Sequence, residues 1–144
     1  MPKSTPTCNS IINLLYRATA WANVADNAAS APFTNVYVSL HTGNLTAATN
    51  TQTDNETAYT NYARQAVARS TGWDAASGGG TANSATIGFP QCGVTGATLS
   101  DVATGTAVSG GGTVWHFGAL NASLVVSSGI TPQFAAGALT VTES

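Results

Sequence analysis

The chain has 144 residues, enough for one domain with a self-sufficient core, yet only 7% of them are charged against about 25% in an ordinary soluble domain. Its four cations, Lys3, Arg17, Arg64 and Arg69, form no basic stripe, which argues against a phosphate-binding surface and against nucleic acid as a partner. Ala, Thr, Ser and Gly make up more than half of the residues and the net charge is −2, so weak self-repulsion favours self-association or co-assembly.

The first nine residues contain Pro2 and Pro6 and read as an extended arm, with a single β-rich domain over 10–144. Ser10 is the expected N-cap of one helix, since Ile11, Ile12, Leu14, Leu15 and Ala18 recur at helical spacing, with Trp21 and Val24 beyond. This helix fades through Asp26 and Asn27 and is over by Pro32. The apolar run Ile11–Ala22 has the look of a signal peptide, but Arg17 interrupts it, so the expectation is an unprocessed chain made in the cytoplasm.

After Pro32 the period changes to two. Val36, Val38 and Leu40 share one face of a half-buried strand running to His41. A polar loop of sixteen residues follows, Thr42–Thr57, long enough to be a contact element. Further strands are expected at Ala63–Ser70, Ala85–Phe89, Ala97–Ala103, Thr113–Leu120, Ser123–Ser127 and Ala138–Thr142, separated by turns such as Gly78–Gly80 and Gly110–Gly112. Short strands between Gly-rich turns predict a mainly β fold, a jelly-roll-like β-sandwich with one N-terminal helix and an extended arm. Its core would hold Val36, Val38, Leu40, Ile87, Phe89, Leu99, Val114 or Trp115, Phe117, Leu124, Val126, Leu139 and Val141.

The sequence offers little material for catalysis. There is no GxSxG elbow, and His41 and His116 are the only histidines. His41 falls on the polar side of its strand and reads as solvent-facing or hydrogen-bonded, while His116, between Trp115 and Phe117, packs into the sheet. Asp54 and Glu56 are neighbours on one loop and do not flank a sugar ring as glycosidase carboxylates must. That oxygen-rich loop lacks the spacing and glycine of an EF-hand, and two Cys with two His show no zinc spacing, so no metal and no cofactor are expected. Cys8 and Cys92 read as two reduced thiols packed as small apolar groups. Tyr37, Tyr59, Tyr62, Trp73 and Trp115 are either core and loop anchors or a sugar-stacking platform. No stretch is long and apolar enough to span a membrane.

Two segments are less generic: Val36–Thr42 with Asn55-Glu56 and Tyr59–Arg69, and Gly118–Ser127 with Gly129–Leu139. Together they resemble a family of small virion proteins of tailed bacteriophages, catalogued as tail-fibre-like, with related chains serving as capsid decoration or cement proteins. The resemblance covers about residue 10 to the end and is weakest over 93–112. It implies a non-enzymatic structural protein on the outer capsid surface, made in the host cytoplasm, which binds the major capsid protein, associates as a homo-trimer and reinforces the head. The alternative it implies is a tail or tail-fibre protein that binds a host glycan. Tyr59, Tyr62, Arg64 and Arg69, with Ile11 and Leu15 on the helix, are the expected contact residues, because Tyr and Arg are favoured interface anchors.

Overall fold

The computed structural model describes residues 3–22, 24–25, 32–49 and 51–143. It is mainly β with one N-terminal helix, as the composition predicts: α1 (Thr5–Arg17), β1 (Asn35–His41), β2 (Gln65–Ala68), β3 (Gly80–Ala82), β4 (Ile87–Gly88), β5 (Ala97–Gly105), β6 (Val114–Val126), β7 (Gln133–Phe134) and β8 (Thr140–Thr142). One four-stranded sheet has the order β2-β1-β5-β6, and two ribbons pair β3 with β8 and β4 with β7. The jelly-roll arrangement is a finer detail than this strand order carries. The chain divides into two compact units. One is 1–35, 67–87 and 134–144; the other is 36–66 and 88–133.

In the first unit α1 starts five residues before the expected N-cap at Ser10. Ser4 is extended and takes the N-cap position, and Pro6 stands in the first turn, where its missing N–H is no loss. Residues 5–9, read as arm, are therefore helical. The buried stripe is Cys8, Ile12 and Tyr16, one residue every turn, which leaves Ile11 and Leu15 half-buried on the flank. The helix ends at Ala18, which adopts the left-handed conformation while the Thr19 amide bonds the Asn13 carbonyl at 3.1 Å. Trp21 and Val24 lie beyond it, and Trp21 pairs with Ala25 in a tight turn. The predicted fading through Asp26 and Asn27 lies outside the described residues.

Helix side chains fasten the loop that leads into β3. Asn13 Oδ1 accepts the Ala76 amide at 3.1 Å, and Asn9 Oδ1 accepts the Gly79 amide at 2.6 Å. Trp73 is fully buried and meets Tyr16 edge-on at 4.6 Å. Asn83 is also fully buried; its amide nitrogen donates to the Ala85 and Ala135 carbonyls and its oxygen accepts the Leu139 amide, so two of these three contacts fix the turn before β8.

In the second unit β1 and β5 run antiparallel with Tyr37, Ser39 and His41 opposite Gly105, Ala103 and Asp101. Directly opposed residues share a face. Val38 and Leu40, opposite Thr104 and Val102, form the other. Both faces are covered: Val36, Val38 and Leu40 are buried, and so are Ser39 and His41. The alternation correctly gives the apolar face but not the cover on the polar one. That cover is the polar loop. Gln52, fully buried, donates to the Tyr37 carbonyl at 3.0 Å and accepts the Ala107 amide at 3.1 Å. Gly105 makes room for it, since a Cβ there would stand 2.5 Å from Gln52 Cδ.

Of the expected core, Val36, Val38, Leu40, Ile87, Phe89, Leu99, Val126, Leu139 and Val141 are buried. Val114 and Trp115 are half-buried, whereas Phe117 and Leu124 are each 41% exposed. Both exposed residues belong to β6, whose pairing with β5 shifts register between Ala119 and Leu124, at the gap expected between two short strands.

Candidate functional site

The four residues expected to make contacts through Tyr and Arg side chains turn inward. Arg64 is buried and grips Glu56 with a two-pronged ion pair, Nε to Oε1 at 2.6 Å and Nη2 to Oε2 at 2.7 Å. Its remaining donors reach the Ala107 and Gly110 carbonyls at 2.9 and 2.7 Å. Tyr62 donates its hydroxyl to Glu56 Oε1 at 2.9 Å and accepts the Leu40 amide at 3.1 Å. One guanidinium thus ties together the polar loop, the segment before β2 and the glycine-rich turn before β6. The hydrogen bonds to Glu56 raise the Arg64 pKa, and burial pushes the Tyr62 phenol up. Tyr59 is buried against Tyr62 at 5.4 Å, donates to the Pro90 carbonyl at 2.9 Å, and is pushed up by burial to about 12.

Arg69 does the equivalent work in the first unit. It donates to the Leu14 and Leu15 carbonyls at the C-terminal end of α1 and to the Phe33 carbonyl at 2.6 Å. A cation there complements the negative end of the helix dipole, and burial lowers its pKa. Both arginines therefore meet carbonyl groups the fold leaves at its element ends. Long flexible cations with several donors suit that task as well as they suit an interface, so residue type alone could not separate the two uses.

His41 is fully buried, not solvent-facing. Its Nδ1 lies 2.8 Å from the Asp54 carbonyl, which only accepts, so Nδ1 carries the proton and Nε2 accepts from the Ser39 hydroxyl at 2.9 Å. Gln52 Nε2 in turn donates to Ser39 Oγ at 3.3 Å. Desolvation lowers the His41 pKa from 6.5, against the pull of nearby Glu56 and Asp101. A serine beside a histidine has the ingredients of a nucleophile and base, but neither residue has exposed surface to offer a substrate in this conformation. His116 is half-buried on β6. Cys8 and Cys92 are both buried free thiols. Among the described residues no cluster of three or more His, Cys, Asp or Glu is placed to hold a metal, and no helix is long and apolar enough to cross a membrane. The possible sugar platform is dispersed, because Tyr59 and Trp73 are interior. Trp115 and Phe117 do share one face of β6.

What remains on the outside is the β6 side of the second unit. β6 is the edge of its sheet, and almost all its residues are at least partly exposed. It contains Trp115, Phe117, Leu120, Leu124 and Val125 and no charged residue and no proline. Exposed edges in ordinary soluble proteins are blunted by lysine, proline, brevity or a bulge; this one has neither lysine nor proline, and its ladder with β5 shifts register between Ala119 and Leu124. The signal for it lies in the sequence: Asp101 is the only charged residue between Asp74 and Glu143, and it is buried. Val94, Val125 and Ile130, which are 91%, 68% and 42% exposed, extend the apolar surface at the end of β6. Here the turn amide of Gly129 bonds the Cys92 carbonyl.

A search of curated proteins gave no match. The family model described as "Podophage GP4 fiber I protein gp80" matches residues 2–142, nearly the whole chain. The chain therefore belongs to that family, among the fibre and virion structural proteins of tailed phages.

Proposed function

We propose that this protein is a fibre subunit of a tailed-phage virion and acts by subunit association, with no reaction, cofactor, metal or nucleic acid. The observation that carries this reading is the uncharged, largely exposed β6 at the edge of its sheet among the described residues. In free solution such a strand is an aggregation hazard; in a permanent assembly it is a joint. The family description supports the fibre placement. A fibre subunit that also binds a host glycan would use Trp115 and Phe117, which lie on one face of β6.

A decoration subunit seated on the major capsid protein, as a trimer on the head, is the second reading. It draws on the same neutral surface, the feature that led to it from sequence. Quantitative mass spectrometry of purified virions, with immunogold labelling, separates the two. Few copies per particle with label on the tail or fibre support the fibre reading. A copy number comparable to that of the major capsid protein, with label on the head, replaces it with decoration. Absence from virions removes both.

A further inference from the structure

Three side chains that meet beneath the polar loop, Ser39, His41 and Gln52, bring together a nucleophile, a base and an acyl group, and all three are fully buried. We infer that the chain joins Ser39 to Gln52 by an internal ester bond, in which the serine hydroxyl takes the place of the glutamine amide nitrogen and ammonia is released. This goes beyond the assembly reading and does not depend on it. The reaction occurs once in each chain and acts on no partner. The substrate that burial denies to Ser39 from solution is supplied by the chain itself.

Each part has its place. Ser39 has one hydroxyl proton to give. His41 Nε2 accepts it at 2.9 Å, while the Ala103 carbonyl stands at 3.5 Å. His41 Nδ1 donates to the Asp54 carbonyl at 2.8 Å, which fixes the ring with its unprotonated nitrogen toward the serine. Gln52 Nε2 lies 3.3 Å from Ser39 Oγ, so across a C–N bond of about 1.33 Å the carbonyl carbon is within about 4.6 Å of the hydroxyl. A near-attack pair stands at roughly 3–3.5 Å. A turn about the last torsion of Gln52, which is soft in glutamine, presents the carbonyl face to Oγ, and a shift of about 1 Å closes the rest. Two glycines leave the carboxamide its space: a Cβ on Gly105 would stand 2.5 Å from Gln52 Cδ, and one on Gly112 would stand 2.5 Å from Oε1.

The step balances within these residues. Ser39 Oγ attacks Gln52 Cδ as His41 Nε2 takes the hydroxyl proton. Negative charge develops on Gln52 Oε1, which already accepts the Ala107 amide at 3.1 Å. As the Cδ–Nε2 bond breaks, His41 Nε2 returns the proton to the leaving nitrogen, which departs as ammonia. One C–O bond has then replaced one C–N bond, and His41 is neutral again. Glu56 and Asp101 face the ring as carboxylates and Arg64 as a cation. Glu56 is taken up by Arg64. Asp101 stands directly opposite His41 in the ladder and is buried; its Oδ1 accepts the Leu45 amide at 3.4 Å, and its Oδ2 has no hydrogen-bond partner among the described residues. That carboxylate stabilises the imidazolium while the proton is in transit. Burial keeps His41 neutral beforehand, as a base must be, and keeps water from the ester afterwards. The product ties the polar loop to β1 between residues 13 apart, and it stabilises as a disulfide does, by restricting the unfolded chain.

The test is mass spectrometry of the purified full chain. Trypsin releases residues 18–64 as one peptide, since no Lys or Arg lies between Arg17 and Arg64. In wild type this peptide should be lighter than its sequence by one ammonia. Chymotryptic cleavage after Leu40 and Leu45 should leave the Ser39 and Gln52 fragments joined, and hydroxylamine should separate them. Ser39→Ala should have the full mass. His41→Gln, followed from the end of synthesis, should join about a hundredfold more slowly or not at all, with circular dichroism reporting that both variants are folded. A wild-type peptide at full mass overturns the ester, whatever the variants do. So does a deficit that persists in Ser39→Ala, resists hydroxylamine or maps to other residues. A folded His41→Gln that joins at the wild-type rate overturns the mechanism.

Discussion

Removing the Arg64 side chain tests whether one guanidinium closes the second unit. Arg64→Ala deletes both prongs of the ion pair and both bonds to the Ala107 and Gly110 carbonyls. It leaves Glu56, whose side chain is only 16% exposed, as a nearly buried carboxylate facing the Tyr62 hydroxyl alone. Breaking one half of a buried pair costs about 3–5 kcal/mol. The turn carbonyls at Ala107 and Gly110 can recover water, so the expected loss sits toward the lower end, about 3 kcal/mol. That is a large share of the roughly 5–15 kcal/mol that holds an average domain folded. At about 2–4 °C per kcal/mol for a chain near this length, the melting temperature should fall by roughly 6–12 °C. Guanidinium denaturation of Arg64→Ala, Glu56→Gln and the double variant completes a thermodynamic cycle. The double variant should be less damaged than the sum of the singles, because it leaves no uncompensated charge. Additive losses, or an Arg64→Ala loss below about 1 kcal/mol as for a surface pair, would refute the keystone role.

Three further predictions concern other parts of the fold. Arg69→Ala should destabilise the first unit by about 2–3 kcal/mol, as charge-assisted bonds to buried carbonyls do, and weaken the helical circular dichroism signal; an unchanged spectrum and melting curve would show that the α1 carbonyls do not need it. Because desolvation holds the folded His41 pKa below 6.5, the unfolded chain takes up that proton first as pH falls. This contribution to stability is full above pH 6.5 and is lost as pH falls from there toward the folded-state pKa; denaturant midpoints from pH 8 to 5 should trace it, and His41→Gln should flatten the slope. Gly105→Ala sets a methyl 2.5 Å from both Gln52 Cδ and the Thr113 carbonyl, so overpacking should cost about 1–3 kcal/mol; Gln52→Ala in the same chain should give only partial relief, since the Thr113 contact is backbone, and a tolerated Gly105→Ala would contradict the seating of the loop over the sheet.

The period of two from Val36 to Leu40 located β1 and its apolar face, and the glycine runs marked true turns. The helix was legible as a helix, but its start was not. Pro6 breaks a helix interior and favours a first turn, and only the position of Ser4 as N-cap decides which applies. The division expected between Leu120 and Ser123 reappears as a register shift of β6 against β5 between Ala119 and Leu124, although the strand continues through it. Its edge position leaves Phe117 and Leu124 outside the core to which their hydrophobicity assigned them.

By itself the sequence determined the material of this protein: a neutral, hydroxyl-rich, mainly β chain with one helix and almost no charge with which to do chemistry. Composition and local period suffice for that, because they fix which residues seek burial and how often they recur. Only the tertiary structure decided where the few charged groups and aromatics are used. Arg64 and Arg69 point inward because distant turns and a helix end leave carbonyls beside them, and Tyr59 and Trp73 fill interior space for the same long-range reason. The surface left for assembly is then what sequence order could not rank, since the edge of a sheet is set by which strands pair, and among the described strands β6 is the long one that ends at a sheet edge.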